Sequence, residues 1–271
     1  ELEDFPNEWQ GCIDVLDEIW TPSEFTSNSV RKKTNKPVYT IPHHVSPKVN
    51  KKCDREYFGL PNDKFLCLVM YNSGSVSERK NPRAAIEAYK LAFEDCLDEV
   101  GIIVKVGHAT KEDVLRLKDS LKNIPNVFYI FDNKSRKETN SLIACSDIYI
   151  SLHRAEGFGL VLAEAMCLGT PVVATGWSGN MEFMNEEVAC IVKYNMIHPT
   201  VTTGSFLKDS WWADADINDA AEKIRLLYED KEYYNKIRLC AKEYIQEKLD
   251  PKKVANLMKC YYEQIVGRKD D

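Results

Sequence analysis

Long apolar runs are missing from this 271-residue chain. None approaches the roughly 20 residues that span a bilayer, so no segment reads as a membrane helix. No leader-like segment opens the sequence, and Glu1 in place of Met reads as a trimmed or renumbered start. The nine cysteines are odd in number and contain no C-x-x-C, which argues against a zinc knuckle and against a paired disulfide framework. Cys67, Cys145, Cys167 and Cys190 sit inside apolar runs and read as buried, reduced thiols, as in a cytoplasmic protein. Positive charge is in deficit: 36 Lys and Arg stand against 42 Asp and Glu, a net charge of -6 that argues against a general nucleic-acid partner. Basic clusters such as Arg31-Lys32-Lys33 and Lys51-Lys52 are short and read as solvated faces. Internal repeats and low-complexity tracts are lacking too. What remains is an ordinary globular composition, 44% hydrophobic, enough for one large core or two smaller ones.

The stretch from Asp147 to Met184 organises the rest. An apolar run, Ile148 to Leu152, ends in a turn carrying Glu156-Gly157-Phe158-Gly159. Strong helix formers follow from Leu160 to Leu168, Gly169 ends them, and Pro171 forbids their continuation. A second apolar run, Pro171 to Thr175, leads into Gly176-Trp177-Ser178-Gly179-Asn180. This is a β-α-β unit with two glycines at a helix mouth, where free N–H groups and the positive end of the helix dipole suit an anion or a polar sugar edge. Glu156 precedes that mouth and Glu164 lies eight positions on, about two helical turns, so a helix brings both carboxylates to one side. Phosphate alone does not require carboxylates, but hydroxyls do donate to them. The combination therefore describes a nucleotide-sugar site.

Upstream, Pro37 to Pro42 is a short strand leading into His43-His44. Adjacent side chains diverge on a strand and no carboxylate stands nearby at ligand spacing, so no metal is expected there. Lys64 to Tyr71 reads as a strand buried on both faces of a parallel sheet. It runs into a small-residue loop, Asn72 to Pro82, that delivers Arg79 and Lys80 to the start of a helix with Pro82 in its first turn. Those cations could neutralise a diphosphate or be solvated loop charges. Strand Gly101–Val106 then precedes helix Lys111–Lys122, and strand Asn126–Phe131 precedes helix Ser135–Cys145. Such alternation predicts an α/β fold with a doubly wound, Rossmann-like parallel sheet, and ligands bind such sheets beyond the carboxyl ends of the strands. The loops at 72–80, 107–110, 131–135, 153–159 and 176–180 should share one rim. Lys105, inside an apolar strand, either reaches a ligand anion or snorkels at the sheet edge. A backbone pocket for a base is expected around Phe131 and Asp132.

After strand Val188–Lys193, the segment from Tyr194 to Trp212 reads as irregular. Asp214-Ala215-Asp216 matches a metal-diphosphate D-x-D, but it immediately precedes a helix, Asn218–Glu229, so helix capping is the better reading. Helices Lys231–Lys248 and Pro251 to about Val266 close the chain, with an apolar stripe that reads as core.

The E-x7-E pair Glu156 and Glu164, with Gly157 and Gly159 between them and Gly179 to Glu182 in the next loop, resembles the signature of retaining glycosyltransferases of the GT-B fold. The string SLHRAEGFGLVLAEAMCLGTPVVATGWSGN is similar to family 4 (glycosyltransferase group 1), in particular a mannosyltransferase-like branch that builds surface polysaccharide. This resemblance implies the C-terminal, donor-binding half of such an enzyme. Residues 1–35 would be the tail of a missing N-terminal acceptor domain, 36–60 an interdomain strand and linker, 61–248 the nucleotide-sugar-binding domain, and 249–271 a final helix that crosses back. Its phrase DEIWTPSEFT resembles the family's domain end, with Ser23 capping the next helix.

The resemblance also implies roles. Glu156, Lys80 and Arg79 would be catalytic: the two cations steady the departing diphosphate, and Glu156 accepts from sugar hydroxyls. Gly157, Phe158, Gly159 and Leu160 would hold the sugar end by their amides, and Glu164 the ribose. Ser75 stands where many members carry a phosphate-binding Arg, a departure that Arg79 could compensate, and Lys105 is a further donor-site candidate. The donor would be a nucleotide-diphosphate sugar, GDP-mannose before UDP-sugars, used without metal or other cofactor. A glycan or lipid-linked acceptor would be presented by the missing domain, which could also bring the protein to a membrane surface. The fragment alone would bind donor weakly and transfer little. The alternatives are a non-catalytic nucleotide-sugar-binding or scaffold module, and a GT-B phosphorylase or epimerase on the same fold.

Overall fold

The computed structural model describes residues 1–200, 202 and 208–269. A small unit opens the chain: helix α1 (Gln10–Asp14), strand β1 (Ile19–Thr21), helix α2 (Glu24–Arg31) and strand β2 (Val38–Thr40). β1 and β2 pair in parallel, Ile19 opposite Val38. Ser23 caps α2 as expected, accepting from the amide of Thr26. The same hydroxyl donates to the carbonyl of Gly157 at 2.6 Å, which ties this unit to the organising turn.

The main body follows as β3 (Phe65–Asn72), a short α3 (Ser77–Lys80), α4 (Pro82–Ala92), β4 (Val100–Gly107), α5 (Lys111–Ser120), β5 (Val127–Ile130) and α6 (Arg136–Cys145). Then come β6 (Ile148–Ser151), α7 (Leu160–Leu168), β7 (Val172–Thr175), β8 (Cys190–Val192), β9 (Tyr194–Ile197), β10 (Trp212–Ala215), α8 (Ile217–Glu229), α9 (Lys231–Lys248) and α10 (Pro251–Lys269). Six strands form one sheet in the order β5-β4-β3-β6-β7-β8, every pairing parallel. The winding runs outward in one direction from β3 and in the other from β6. The seam between β3 and β6 is therefore the switch point at which such sheets open a crevice.

Both faces of the sheet are buried, which is why its strands read as unbroken apolar runs. Cys67 and Val69 of β3 and Ile102, Val104 and Val106 of β4 pack with α4 and α8. Leu66, Leu68 and Ile103 face the other way, towards α6, α7 and α9. Cys67, Cys167 and Cys190 are buried in these layers as expected, whereas Cys145, at the end of α6, is only half-buried; burial pushes the thiols of Cys167 and Cys190 up to about 11. Gly169 ends α7 in the left-handed conformation, φ +76°, which a glycine adopts without the usual Cβ penalty.

The segment read as irregular opens with a strand instead, β9, and ends where its antiparallel partner β10 begins, Tyr194 opposite Ala215; residues 201 and 203–207 of that segment lie outside the described residues. Tyr194, Asn195 and Met196 are exposed, so the first of these strands has no apolar alternation to betray it. Asp216 caps α8, accepting from the amides of Asn218 and Asp219, whereas Asp214 pairs with Arg154 at 2.7 Å. Tyr261 of α10 lies against Tyr39 of β2, ring centroids 4.2 Å apart, which sets the last helix beside that strand. Among the described residues no helix is long and apolar enough to cross a membrane, and no three His, Cys, Asp or Glu side chains are grouped as a metal site.

Candidate functional site

At the carboxyl ends of β3, β4, β5 and β6 lies a cavity of about 460 Å³. Asn72 and Lys80 reach it from the first loop, Gly107 and His108 from the second, Asn133 and Lys134 from the third, Glu156 and Gly159 from the fourth. Four of the five loops expected on one rim therefore share it. The fifth, 176–180, supports the fourth from behind. The Ser178 hydroxyl accepts from the Glu156 amide at 2.9 Å, and the Gly179 amide donates to the Glu156 carbonyl at 2.9 Å. A Cβ on Gly179 would stand 2.2 Å from the carbonyl oxygen of Gly157, so the glycine is required for this close approach of two backbones.

Glu156 ends the extended segment after β6 and is buried. Its carboxylate pairs with the ammonium of Lys80, and the Arg79 guanidinium lies 3.6 Å from the same oxygen. Burial alone would push this carboxyl up. Lys80, with His153 and Arg79, overcomes that and holds it below the ordinary 4.5. The loop after β3 and the helix mouth after β6, 76 positions apart in the chain, thus meet in one ion pair at the switch point.

Arg79 itself does not line the cavity. It is buried, 4% exposed, and donates to the Ala155 carbonyl at 2.7 Å, so it braces the turn that carries Glu156 rather than opening a fork towards a ligand. Ser75 does not line the cavity either: its hydroxyl donates to the Asn72 carbonyl at 2.7 Å. The side chain of Phe158 is packed against Phe183 and His43, and the Gly157 carbonyl accepts from Ser23 and Thr26. Gly159 and Leu160 do line the cavity. Gly159 stands at φ +89° as the N-cap of α7, and no side chain caps that helix, which leaves its mouth open to a ligand.

Glu164 lies inside the second turn of α7, 5% exposed. One of its oxygens accepts from Arg136, the first residue of α6; the other is buried without a hydrogen-bond partner. Burial raises its pKa above the ordinary 4.5 against the pull of Arg136. A recess of about 380 Å³ adjoins here, lined by His44, Lys48, Arg136 and Glu164 among others. Of the paired histidines, His44 is thus the one beside a site carboxylate, while His43 sets its ring edge against Phe158. Lys105 lines the main cavity from its floor.

Sequence reasoning missed Arg136, Lys134 and His153. Arg136 carried a signal: a cation at the first position of a helix opposes the dipole, so something else must hold it there. Lys134 pairs with Asp132 at 2.7 Å beside the cavity. His153 is fully buried, its Nε2 3.0 Å from the Asn180 side-chain oxygen, and burial lowers its pKa. It joins the two loops behind Glu156, a link no local pattern announces.

The family model described as glycosyl transferases group 1 matches residues 54–244. Among solved structures, the fold is shared with HepE of Anabaena in complex with UDP and glucose, at a TM-score of 0.73 and 18% identity over 98% of this chain and 70% of that one. A sucrose-phosphate synthase of Thermosynechococcus elongatus matches at 0.69 and 17%, over 96% of this chain and 61% of that one. A TarM variant of S. aureus, in complex with fondaparinux, alpha-GlcNAc-glycerol and UDP, matches at 0.67 and 15%, over 90% of this chain and 43% of that one. The chain thus spans less than two thirds of the length of the last two. No curated protein matches it in sequence. At these identities the neighbours establish the fold: a parallel α/β sheet of the Rossmann-like, GT-B kind.

Proposed function

The chain belongs to the glycosyl transferases of group 1, and from that premise we propose that it is the donor-binding part of a retaining hexosyltransferase. The observation that carries this reading is the contact of Lys80 with Glu156 at the uncapped mouth of α7. A diphosphate seated at that mouth would draw Lys80 from the carboxylate. The ammonium would then face the charge that grows on the leaving group, where a fixed cation lowers the barrier most. Glu156, released but still held ionised beside Arg79, would accept from a hydroxyl of the transferred sugar. The amides at Gly159 and Leu160 would take the phosphate oxygens, and the unpartnered oxygen of Glu164 would accept from the ribose. Arg79 acts in this scheme as a positioning residue for Glu156.

The acceptor hydroxyl, from a glycan or a lipid-linked sugar, would be presented by a domain preceding residue 1, with residues 1–35 as its tail. The donor is a nucleotide-diphosphate sugar. HepE is seen with UDP and glucose, and TarM with UDP, which supports UDP-sugars; the string around Glu156 resembles a branch that uses GDP-mannose. Calorimetric titration with UDP-glucose, UDP-GlcNAc and GDP-mannose decides between them. Lys80→Ala is expected to weaken the preferred donor by about 100-fold, the scale of losing one fixed electrostatic partner. Unchanged affinity in that variant, or no binding of any donor by the parent, would overturn the reading. Transfer to an acceptor by a chain that includes the preceding domain separates an enzyme from a binding module.

A further inference from the structure

We propose that Lys105 selects the nucleobase of the donor, its ammonium donating to a base carbonyl so that uracil and guanine nucleotides are taken over adenine nucleotides. The inference deepens the donor-site reading and rests on it. β4 lies inside the sheet between β3 and β5, with Lys105 opposite Met70 on one side and Ile130 on the other. The option of snorkelling at a sheet edge is therefore closed. Lys105 shares the face of Ile103, beneath α6 and α7, and lines the cavity while only 8% exposed.

The other cations of this cavity are each engaged. Lys80 is on Glu156, Lys134 on Asp132, and Arg136 on Glu164. Among the described residues Lys105 has neither an ion-pair nor a hydrogen-bond partner; the charge that most offsets its burial is that of Asp132, already held by Lys134. Burial accordingly lowers its pKa. An ammonium so buried is costly unless a ligand supplies acceptors.

The order of strands says which part of the ligand arrives there. Lys80 follows β3 and Glu156 follows β6, so a diphosphate sits over that seam. Glu164, in the second turn of α7, marks the ribose. The remainder of a nucleotide then extends over β4 and β5, two strand spacings or roughly 10 Å away, where Lys105 forms the floor and Asn133 and Lys134 the wall. An ammonium has three donors and no acceptor. Uracil offers it two carbonyl oxygens and guanine O6 beside N7, whereas adenine has no carbonyl: an amino donor stands where guanine has O6, and only ring nitrogens accept. Where the ammonium meets that amino group, donor faces donor and the hydrogen bond made with a carbonyl is lost, which discriminates against adenine.

Titrating the chain with UDP, GDP and ADP tests this. UDP and GDP are expected to bind at least about tenfold tighter than ADP, or about 1.4 kcal/mol. Lys105→Met should bring the three to within about threefold of one another, by weakening UDP and GDP while leaving ADP unchanged. Lys105→Gln, which keeps an N–H donor, should retain part of the preference. Thermal unfolding accompanies each titration, and Lys105→Met is expected to melt higher than the parent because the unpartnered charge is gone. Equal weakening of UDP and ADP in Lys105→Met makes the ammonium a phosphate contact and overturns the base assignment. Equal binding of UDP and ADP by the parent overturns it as well. If nucleotides bind and Lys80→Ala abolishes binding while Lys105→Met leaves the base ratio untouched, only the base assignment fails. If no nucleotide binds the parent, the donor-site reading falls with it.

Discussion

The two ends of the parallel sheet differ in how completely their charges are matched. At the amino ends, Asp147 accepts from the Leu66 amide at 2.7 Å and from Arg55 at 2.8 Å. The same guanidinium also donates to the carbonyls of Cys145, Pro61 and Lys64. Arg225 is likewise held by Asp95 and Glu229. At the carboxyl ends, Lys105 lacks a partner among the described residues and one oxygen of Glu164 is buried and unmatched. Burying an unmatched polar group costs stability, whereas a matched one costs little. On the reading proposed above, the fully matched end is scaffold and the end with unmatched groups receives the donor.

The contrast breaks most sharply if the scaffold end turns out to bind or the ligand end to stabilise. Asp147→Ala should cost about 3 kcal/mol in denaturant unfolding, because a backbone amide and a guanidinium lose their acceptor together. Donor affinity of the folded protein should be unchanged. Loss of affinity in this variant would mean that both ends serve the ligand.

Glu164→Gln is expected to behave in the opposite sense. Burial raises its pKa, so folding disfavours the charged form relative to the unfolded chain, and the variant should be more stable at neutral pH by under about 1 kcal/mol. Its donor affinity should fall by about tenfold through loss of a charged acceptor. Equal stability together with unchanged affinity would remove Glu164 from the site.

The smallest effect sharpens the same comparison through pH. Glu164 has a folded pKa above its ordinary value, so the parent gains relative to the unfolded chain as pH falls through that raised value and the carboxyl protonates. The stability advantage of Glu164→Gln should therefore shrink as pH is lowered towards 4.5. Glu156 has the opposite sign: its folded pKa is depressed, so its contribution is present above 4.5 and is lost as pH falls below it. Paired melts of parent and variant across this range read the first effect, and an advantage that grew on acidification would contradict the assignment.

Much of this was legible in one dimension. The bounds of β3, β4, β6, β7, α7 and α9 follow from apolar runs, Gly169 and Pro171, because buried parallel strands and capped helices leave local marks. The resemblance carried by Glu156 to Asn180 pointed to Glu156 and Lys80, and the cavity does bring them together. The placement of Arg79 could not be read locally, because adjacent residues in a short helix point in different directions, and only the fold brings its guanidinium to the Ala155 carbonyl. Arg136 and His153 went unseen because their partners lie 28 and 27 positions away. β9 escaped because an exposed strand has no periodic apolar face.

By itself, then, the order of residues determined where strands and helices begin and end, which faces are apolar, and that glycines and carboxylates meet at a helix mouth. These are properties of neighbours in the chain, set by backbone conformation and side-chain period. Only the tertiary structure decided which charges find partners: Lys80 on Glu156, Arg136 on Glu164, Asp147 on Arg55, and none for Lys105 among the described residues. Pairing depends on distances across the sheet, and strand order, not sequence separation, sets those distances.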